Sequence, residues 1–245
     1  GKALCSLEIR QKAGKSVFPQ VVSLSSESDF VTVYNETDWR EEASLLKAEF
    51  CLNAENENAN YDIGMGCTPR GTNTKSLYEV PAQKWADITH KDGGYGVAVF
   101  SDSRQGWDKP DSSALRLTLI HTPLNNYRHE CSQHVMDMGL NRYSFAIKGH
   151  WGRAENMTAY ADEFCQPMHT FITEKHSGEW GREYSFARLS NDKVRITALK
   201  KRIVNLTCTC IHNCAYYTLG IGNASRRNLK GRSADTRNIA RPRKP

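Results

Sequence analysis

Long apolar runs are missing. No stretch approaches the roughly 20 apolar residues that a membrane-spanning helix requires. Short chemistry-bearing motifs are missing too. There is no Gly-x-Ser-x-Gly elbow, no His-Glu-x-x-His, no Walker phosphate loop and no Gly-x-Gly-x-x-Gly, so no complete catalytic set is visible. Cys-x-x-Cys is absent, which argues against standard structural zinc and redox motifs. Strand–helix–strand alternation is absent as well, which argues against a dinucleotide-binding fold. The first residues, Gly1–Cys5, hold neither an initiator Met nor the apolar region of a signal peptide, and they read as the interior of a longer protein.

What is present is ordinary globular material. The 245 residues are 39% hydrophobic, 24% charged and 9% aromatic, too rich in apolar side chains for disorder throughout. The net charge of +6 is unevenly placed. Residues 201–245 hold ten of the 33 bases and one of the 27 acids, Asp235, leaving 23 bases against 26 acids in residues 1–200. The body is mildly acidic, so the overall charge gives it no nucleic-acid footprint.

Of eight cysteines, Cys5, Cys51, Cys67, Cys131 and Cys165 are scattered through the body. An odd, widely spaced set reads as reduced thiols, which points to the cytoplasm. Asn35, Asn156, Asn205 and Asn223 head glycosylation-type triplets, a pattern too short to decide compartment. Two groups have ligand-type residues close together: His129, Cys131 and His134, and then Cys208, Cys210, His212 and Cys214. Neither has standard zinc spacing, and both read more simply as loop or tail residues. His90-Lys91-Asp92 runs into Gly93-Gly94 and reads as a turn between strands rather than a metal pair.

Apolar and polar residues alternate at Leu7–Ile9, Val31–Val33, Leu115–Leu119, Tyr143–Ile147 and Val194–Ala198, each run predicting a strand with one buried face. Turn residues separate the runs, as at Asp92-Gly93-Gly94 and Asp108-Lys109-Pro110-Asp111. One short helix is predicted over Ala154–Phe164, stopped by Pro167. The fold class is therefore all-β, a large antiparallel sandwich. From Arg226 to Pro245 there is almost nothing apolar to bury, which predicts disorder there.

The densest chemistry lies in Gly94–Asp108. A predicted strand ends in a loop offering Asp102, Arg104, Gln105, Trp107 and Asp108. Aromatic rings stack on sugar faces, and Asp or Arg can grip paired hydroxyls. A polar hairpin with a Trp packed at its base accounts for the same residues equally well.

Four stretches here, Val80–Asp87, Tyr95–Val99, Asp102–Asp108 and Leu115–Pro123, resemble the C-terminal domain of glycoside hydrolase family 38 alpha-mannosidases. Asp137-Met138-Gly139 before Tyr143–Phe145, Phe164–Met168 and Ser190–Lys200 continue the likeness in order, so that it runs from about Leu4 to Lys200. The resemblance implies a galactose-mutarotase-like supersandwich over residues 1–200, incomplete at its C-terminal end. It implies that the nucleophile and the zinc of a retaining mannosidase belong to a preceding catalytic domain, this chain's partner, and that none of them lies here. It implies that the sandwich lends loops to an alpha-mannoside cleft, with Asp102, Arg104, Trp107, Asp108 and His121 as candidate sugar contacts. Trp85 is expected in the core and Trp107 in an exposed loop. The thiols favour the cytoplasm, whereas some members of the family it resembles sit in lysosomes or the Golgi.

The likeness ends at Lys200-Lys201, and residues 201–245 read as a basic, disordered or non-native tail, as a shifted reading frame past codon 200 would produce. Two rival functions remain open from sequence. One is a free-standing carbohydrate-binding module. The other is a nucleic-acid binder acting through Arg226–Lys244, which lacks interleaved aromatics. No membrane partner is expected.

Overall fold

A computed structural model describes residues 3–64, 66–123, 136–190, 194–201, 206–212 and 215–221. The chain divides into two compact units, residues 1–170 and 171–245.

The first unit is built from β1 (Leu4–Ala13), β2 (Ser16–Ser25), β3 (Val31–Trp39), β4 (Ser44–Cys51), β5 (Ala59–Asp62), β6 (Cys67–Arg70), β7 (Val80–Pro81), β8 (Trp85–Thr89), β9 (Tyr95–Ser101), β10 (Gly106–Asp108), β11 (Ala114–Thr122) and β12 (Gly139–Trp151), followed by the helix α1 (Met157–Cys165). An eight-stranded sheet runs β1-β2-β3-β12-β9-β8-β5-β6, and a four-stranded sheet runs β4-β11-β10-β7. Every strand pair in them is antiparallel. The expected all-β sandwich is what is found.

The core lies between the sheets. Val33, Trp39, Tyr61, Ile88, Val99, Tyr143 and Phe145 from the eight-stranded sheet pack with Phe50, Trp107, Leu115, Leu117 and Ile120 from the four-stranded one. Phe50 meets Phe145 edge-on across the interface, with ring centroids 5.3 Å apart. Alternation decides which residues enter. In β3, Val33, Asn35, Thr37 and Trp39 are all buried. Asn35 spends its amide inside, accepting from Gln20 Nε2 at 2.7 Å and donating to Val33 O, so it is not a free surface amide.

A second, smaller core lies on the opposite face of the eight-stranded sheet. There α1 brings Met157 and Ala161 down onto Phe30, Trp85, Ala98, Phe100 and Ala146. Trp85 is a core residue, as its place in an apolar strand predicts, and its Nε1–H donates to Thr158 Oγ1 at 3.2 Å. The helix starts three residues later than the sequence suggests, because Asn156 adopts the left-handed conformation with φ 62 and only the next residue continues in helical geometry. Residues 90–94 form the expected turn between β8 and β9: Gly93 N–H donates to His90 O, and Gly93 sits at φ +75, where a side chain is strained.

The second unit contains β13 (Val194–Lys201), β14 (Leu206–His212) and β15 (Ala215–Ile221), an antiparallel sheet in the order β13-β14-β15. This sheet crosses position 200, where the sequence reading placed a boundary. Residues 226–245, read as disordered, lie outside the described residues.

Candidate functional site

The five residues singled out as sugar contacts fall in two separate places. Asp102, Arg104 and His121 belong to one end of the sandwich. Asp102 Oδ2 accepts from Ser144 N–H at 2.9 Å, which fixes the turn after β9 against β12. Arg104 lays its guanidinium 5.0 Å from the centre of the Tyr143 ring and donates to Asn141 Oδ1 at 3.2 Å. Asn141 in turn donates to Asp137 O at 2.7 Å, and Asp137 Oδ2 accepts the backbone N–H of His121 at 3.1 Å. Arg104 and His121 are therefore joined through Asn141 and Asp137. The His121 side chain is exposed, since its backbone makes the bond to Asp137. Arg104 Nε is buried without a hydrogen-bond partner among the described residues. Burial raises the Tyr143 phenol above its ordinary range, so beneath Arg104 it stays neutral and serves as a donor to or acceptor from Thr37.

Trp107 and Asp108 do not join this group. Trp107 is 0% exposed and sits in the strand β10 rather than a loop, so it has no open face for a sugar. The expectation of a loosely held Trp is corrected here: β10 pairs with both β7 and β11, and its inner side chain is drawn into the core against Leu117. Asp108 points the other way, onto the outer face of the four-stranded sheet, yet is also buried. Its carboxylate takes Lys47 Nζ directly, accepts from Asn73 Nδ2 at 3.0 Å, and lies 3.7 Å from Arg116 Nη1. Glu79 and Glu49 complete the patch by pairing with Lys47 and Arg116. The hydrogen bond to Glu49 holds the Arg116 guanidinium even more firmly protonated than usual. With every member matched, this patch is a structural lattice of charge.

A third cluster escaped the sequence reading. On the face of the eight-stranded sheet that carries α1, His150 of β12 and Asp87 of β8 meet at 2.7 Å, Nε2 to Oδ2, with side chains only 6% and 0% exposed. Asp87 also accepts from Thr89 Oγ1 at 2.8 Å. Beside them opens a cleft of about 460 Å³ lined by the end of β12, the turn after it and the start of α1. The nearest sequence signals were an acid inside the apolar strand Trp85–Ile88 and a glycine at position 96 inside β9.

For the metal candidates, His129, Cys131 and His134 lie outside the described residues. Cys208, Cys210 and His212 fall in β14, and Cys214 lies outside the described residues. Among the described residues, no three His, Cys, Asp or Glu side chains converge as a metal site. No helix among them is long and apolar enough to cross a membrane.

Comparison with known proteins follows the fold. Two solved chains from Enterococcus faecalis, one titled as a protein in the glycosyl hydrolase family 38 and one as an alpha-mannosidase, each superpose with a TM-score of 0.69 over 80% of this chain, at 15% and 14% identity. This chain covers 24% and 23% of them. In sequence it is 27% identical over 186 residues to alpha-mannosidase G of Dictyostelium discoideum, which aligns 74% of this chain with 15% of that protein. It is 28% identical over 177 residues to an alpha-mannosidase of Saccharomyces cerevisiae, aligning 66% of this chain with 16% of that one. The chain thus spans about a sixth of the length of these curated relatives. The profile of the glycosyl hydrolases family 38 C-terminal domain matches residues 1–128, just over half of the chain, and with the sandwich it describes in place the chain belongs to that family.

Proposed function

We propose that this chain is the β-sandwich portion of an enzyme that hydrolyses terminal alpha-linked mannose, with the bond-breaking residues in a preceding catalytic domain. The observation that carries this reading is the family match over residues 1–128 together with two curated relatives that are both alpha-mannosidases. Retaining glycoside hydrolysis needs two carboxyl groups flanking one glycosidic bond, about 5–5.5 Å apart. The buried carboxylates described above are each engaged: Asp108 by Lys47 and Asn73, Asp87 by His150 and Thr89. Zinc belongs, on this reading, to the catalytic domain. The lone His150–Asp87 pair does not fit it, having two donors of which one ring nitrogen already faces the carboxylate.

The contribution of this chain to the sugar cleft is then the edge carrying Asp102, Arg104 and His121. These are the candidates that lie at one end of the sandwich, and their polar groups are positioned by Asp137, Asn141 and Ser144. The test uses the whole gene product that carries this chain, assayed on an aryl alpha-mannoside. His121→Ala lowers kcat/KM about tenfold while the thermal midpoint holds, because the imidazole is exposed and the bond to Asp137 comes from the backbone. Unchanged kcat/KM for both His121→Ala and Asp102→Ala would remove this edge from the sugar cleft.

A further inference from the structure

We propose that Asn156 is an acceptor for an N-linked glycan, and that Asn35, which heads the same kind of triplet, is barred from that role by the fold. The inference does not rest on the mannosidase reading. Sequence ranks the triplets at Asn35, Asn156, Asn205 and Asn223 alike. Asn205 and Asn223 lie outside the described residues, and the other two differ at every point that matters.

Asn35 is 1% exposed and sits in β3, between β2 and β12. Its direct neighbours across the sheet are Gln20 and Tyr143. Its Nδ2 donates to Val33 O at 3.2 Å and to Tyr143 O at 3.4 Å. Thr37 at the end of the triplet is 0% exposed, and its hydroxyl meets the Tyr143 hydroxyl at 3.0 Å. A sugar on Nδ2 would remove one of the donors that satisfy this buried amide and bring a bulky hydrated group between packed strands. A chain modified there could not close β3 against its neighbours.

Asn156 is exposed, in the turn between β12 and α1. Its backbone does the structural work. The residue sits at φ 62, a conformation that Asn tolerates better than most side chains, and its carbonyl accepts from Ala159 N–H at 2.8 Å and Tyr160 N–H at 3.3 Å. Its side chain makes no cap bond to the helix, so a bond at Nδ2 costs the helix nothing. Thr158 supplies the hydroxyl of the triplet and holds it with Trp85 Nε1, which leaves the Asn156 amide outside. Met157 in the middle is not proline, as the pattern requires.

The donor is an oligosaccharide linked to a lipid pyrophosphate. Asn156 Nδ2 bonds to C1 of its first sugar, and the C1–O bond to the pyrophosphate breaks. The lipid pyrophosphate leaves with that electron pair, and the amide gives up one proton. A glycan at this turn keeps the start of α1 in solvent. It also places this part of the chain in a lumenal compartment, against the cytoplasmic reading of the thiols.

The test uses the whole gene product that carries this chain, expressed in eukaryotic cells from its own start codon. The purified protein is treated with an amidase that removes N-linked glycans and leaves Asp at each occupied Asn, and its peptides are compared with those of an untreated sample by mass spectrometry. The proposal expects Asn156 to become Asp and Asn35 to remain Asn. Asn156→Asp, which keeps a residue suited to positive φ, should remove one step of glycan-dependent gel mobility and leave the thermal midpoint unchanged. Thr158→Ser should retain the step. An unmodified Asn156 in the purified product, an occupied Asn35 in folded protein, or a step that survives Asn156→Asp overturns the proposal. Each of these results leaves the hydrolase reading to its own assay.

Discussion

His150 lies on β12 and Asp87 on β8, with β9 between them, and yet the two side chains meet at 2.7 Å. The imidazole crosses the intervening strand above Gly96, its direct partner in the β12–β9 register. A Cβ at position 96 would stand 2.6 Å from His150 Cε1 and Nε2 and 2.8 Å from the carbonyl oxygen of Ile88. The glycine is what allows a buried His–Asp hydrogen bond to span three strands.

Gly96→Ala tests that relationship. Turning the imidazole aside relieves one contact but not the one with the Ile88 backbone, and it breaks the pair with Asp87. The expected loss is about 1–3 kcal/mol in denaturant unfolding. A variant as stable as the parent would show that the ring does not depend on passing over residue 96.

The two buried tryptophans both hold the fold. Trp107 fills the main core and Trp85 the smaller core beneath α1. Trp107→Ala and Trp85→Ala are each expected to destabilise by about 3–5 kcal/mol. Urea midpoints measure this, and a Trp107→Ala variant with an unshifted midpoint would return that residue to the candidate sugar contacts.

Asp108 is the hub of the outer charge lattice, and Asp108→Ala leaves Lys47, whose side chain is only 13% exposed, with Glu79 at 3.5 Å as its remaining ion pair. Removing one partner of a buried pair costs about 3–5 kcal/mol. Double substitution of Lys47 and Asp108 by Met and Leu should recover much of that loss. If the single variant is as stable as the parent, the lattice is ornamental.

Cys165 should be the slow thiol. Burial pushes its pKa up to about 11, since the charged thiolate is disfavoured away from water. Below that pH it stays protonated, and only the thiolate reacts. Cys5, Cys51 and Cys67 are exposed and should be alkylated first at pH 8. Peptide mapping by mass spectrometry reads the order; labelling of Cys165 as fast as Cys51 would contradict its burial.

The strands were legible because alternation is a local signal. Val31–Val33, Leu115–Leu119 and Tyr143–Ile147 each reveal their buried face without reference to any other segment. Trp107 was not legible. Its strand has three residues, too few to show a period, and it sits among Gly, Gln and Asp that imitate a loop. Its burial depends on Val80 and Leu117, which pair with it from elsewhere in the chain. The edge residues Asp102, Arg104 and His121 could be named from sequence, but the link through Asn141 and Asp137 could not, since it is made by folding β12 beside β9. The His150–Asp87 pair joins residues 63 positions apart, and nothing local marks the two as partners.

The central claim is that this sandwich serves alpha-mannoside hydrolysis only as part of a larger enzyme. The most direct measurement is release of the aryl group from an aryl alpha-mannoside, with zinc present, by this chain alone and by the whole gene product that carries it. The account predicts no turnover above background for the chain alone and clear turnover for the whole. Turnover by the chain alone, or none by the whole under conditions where it is folded, would contradict it.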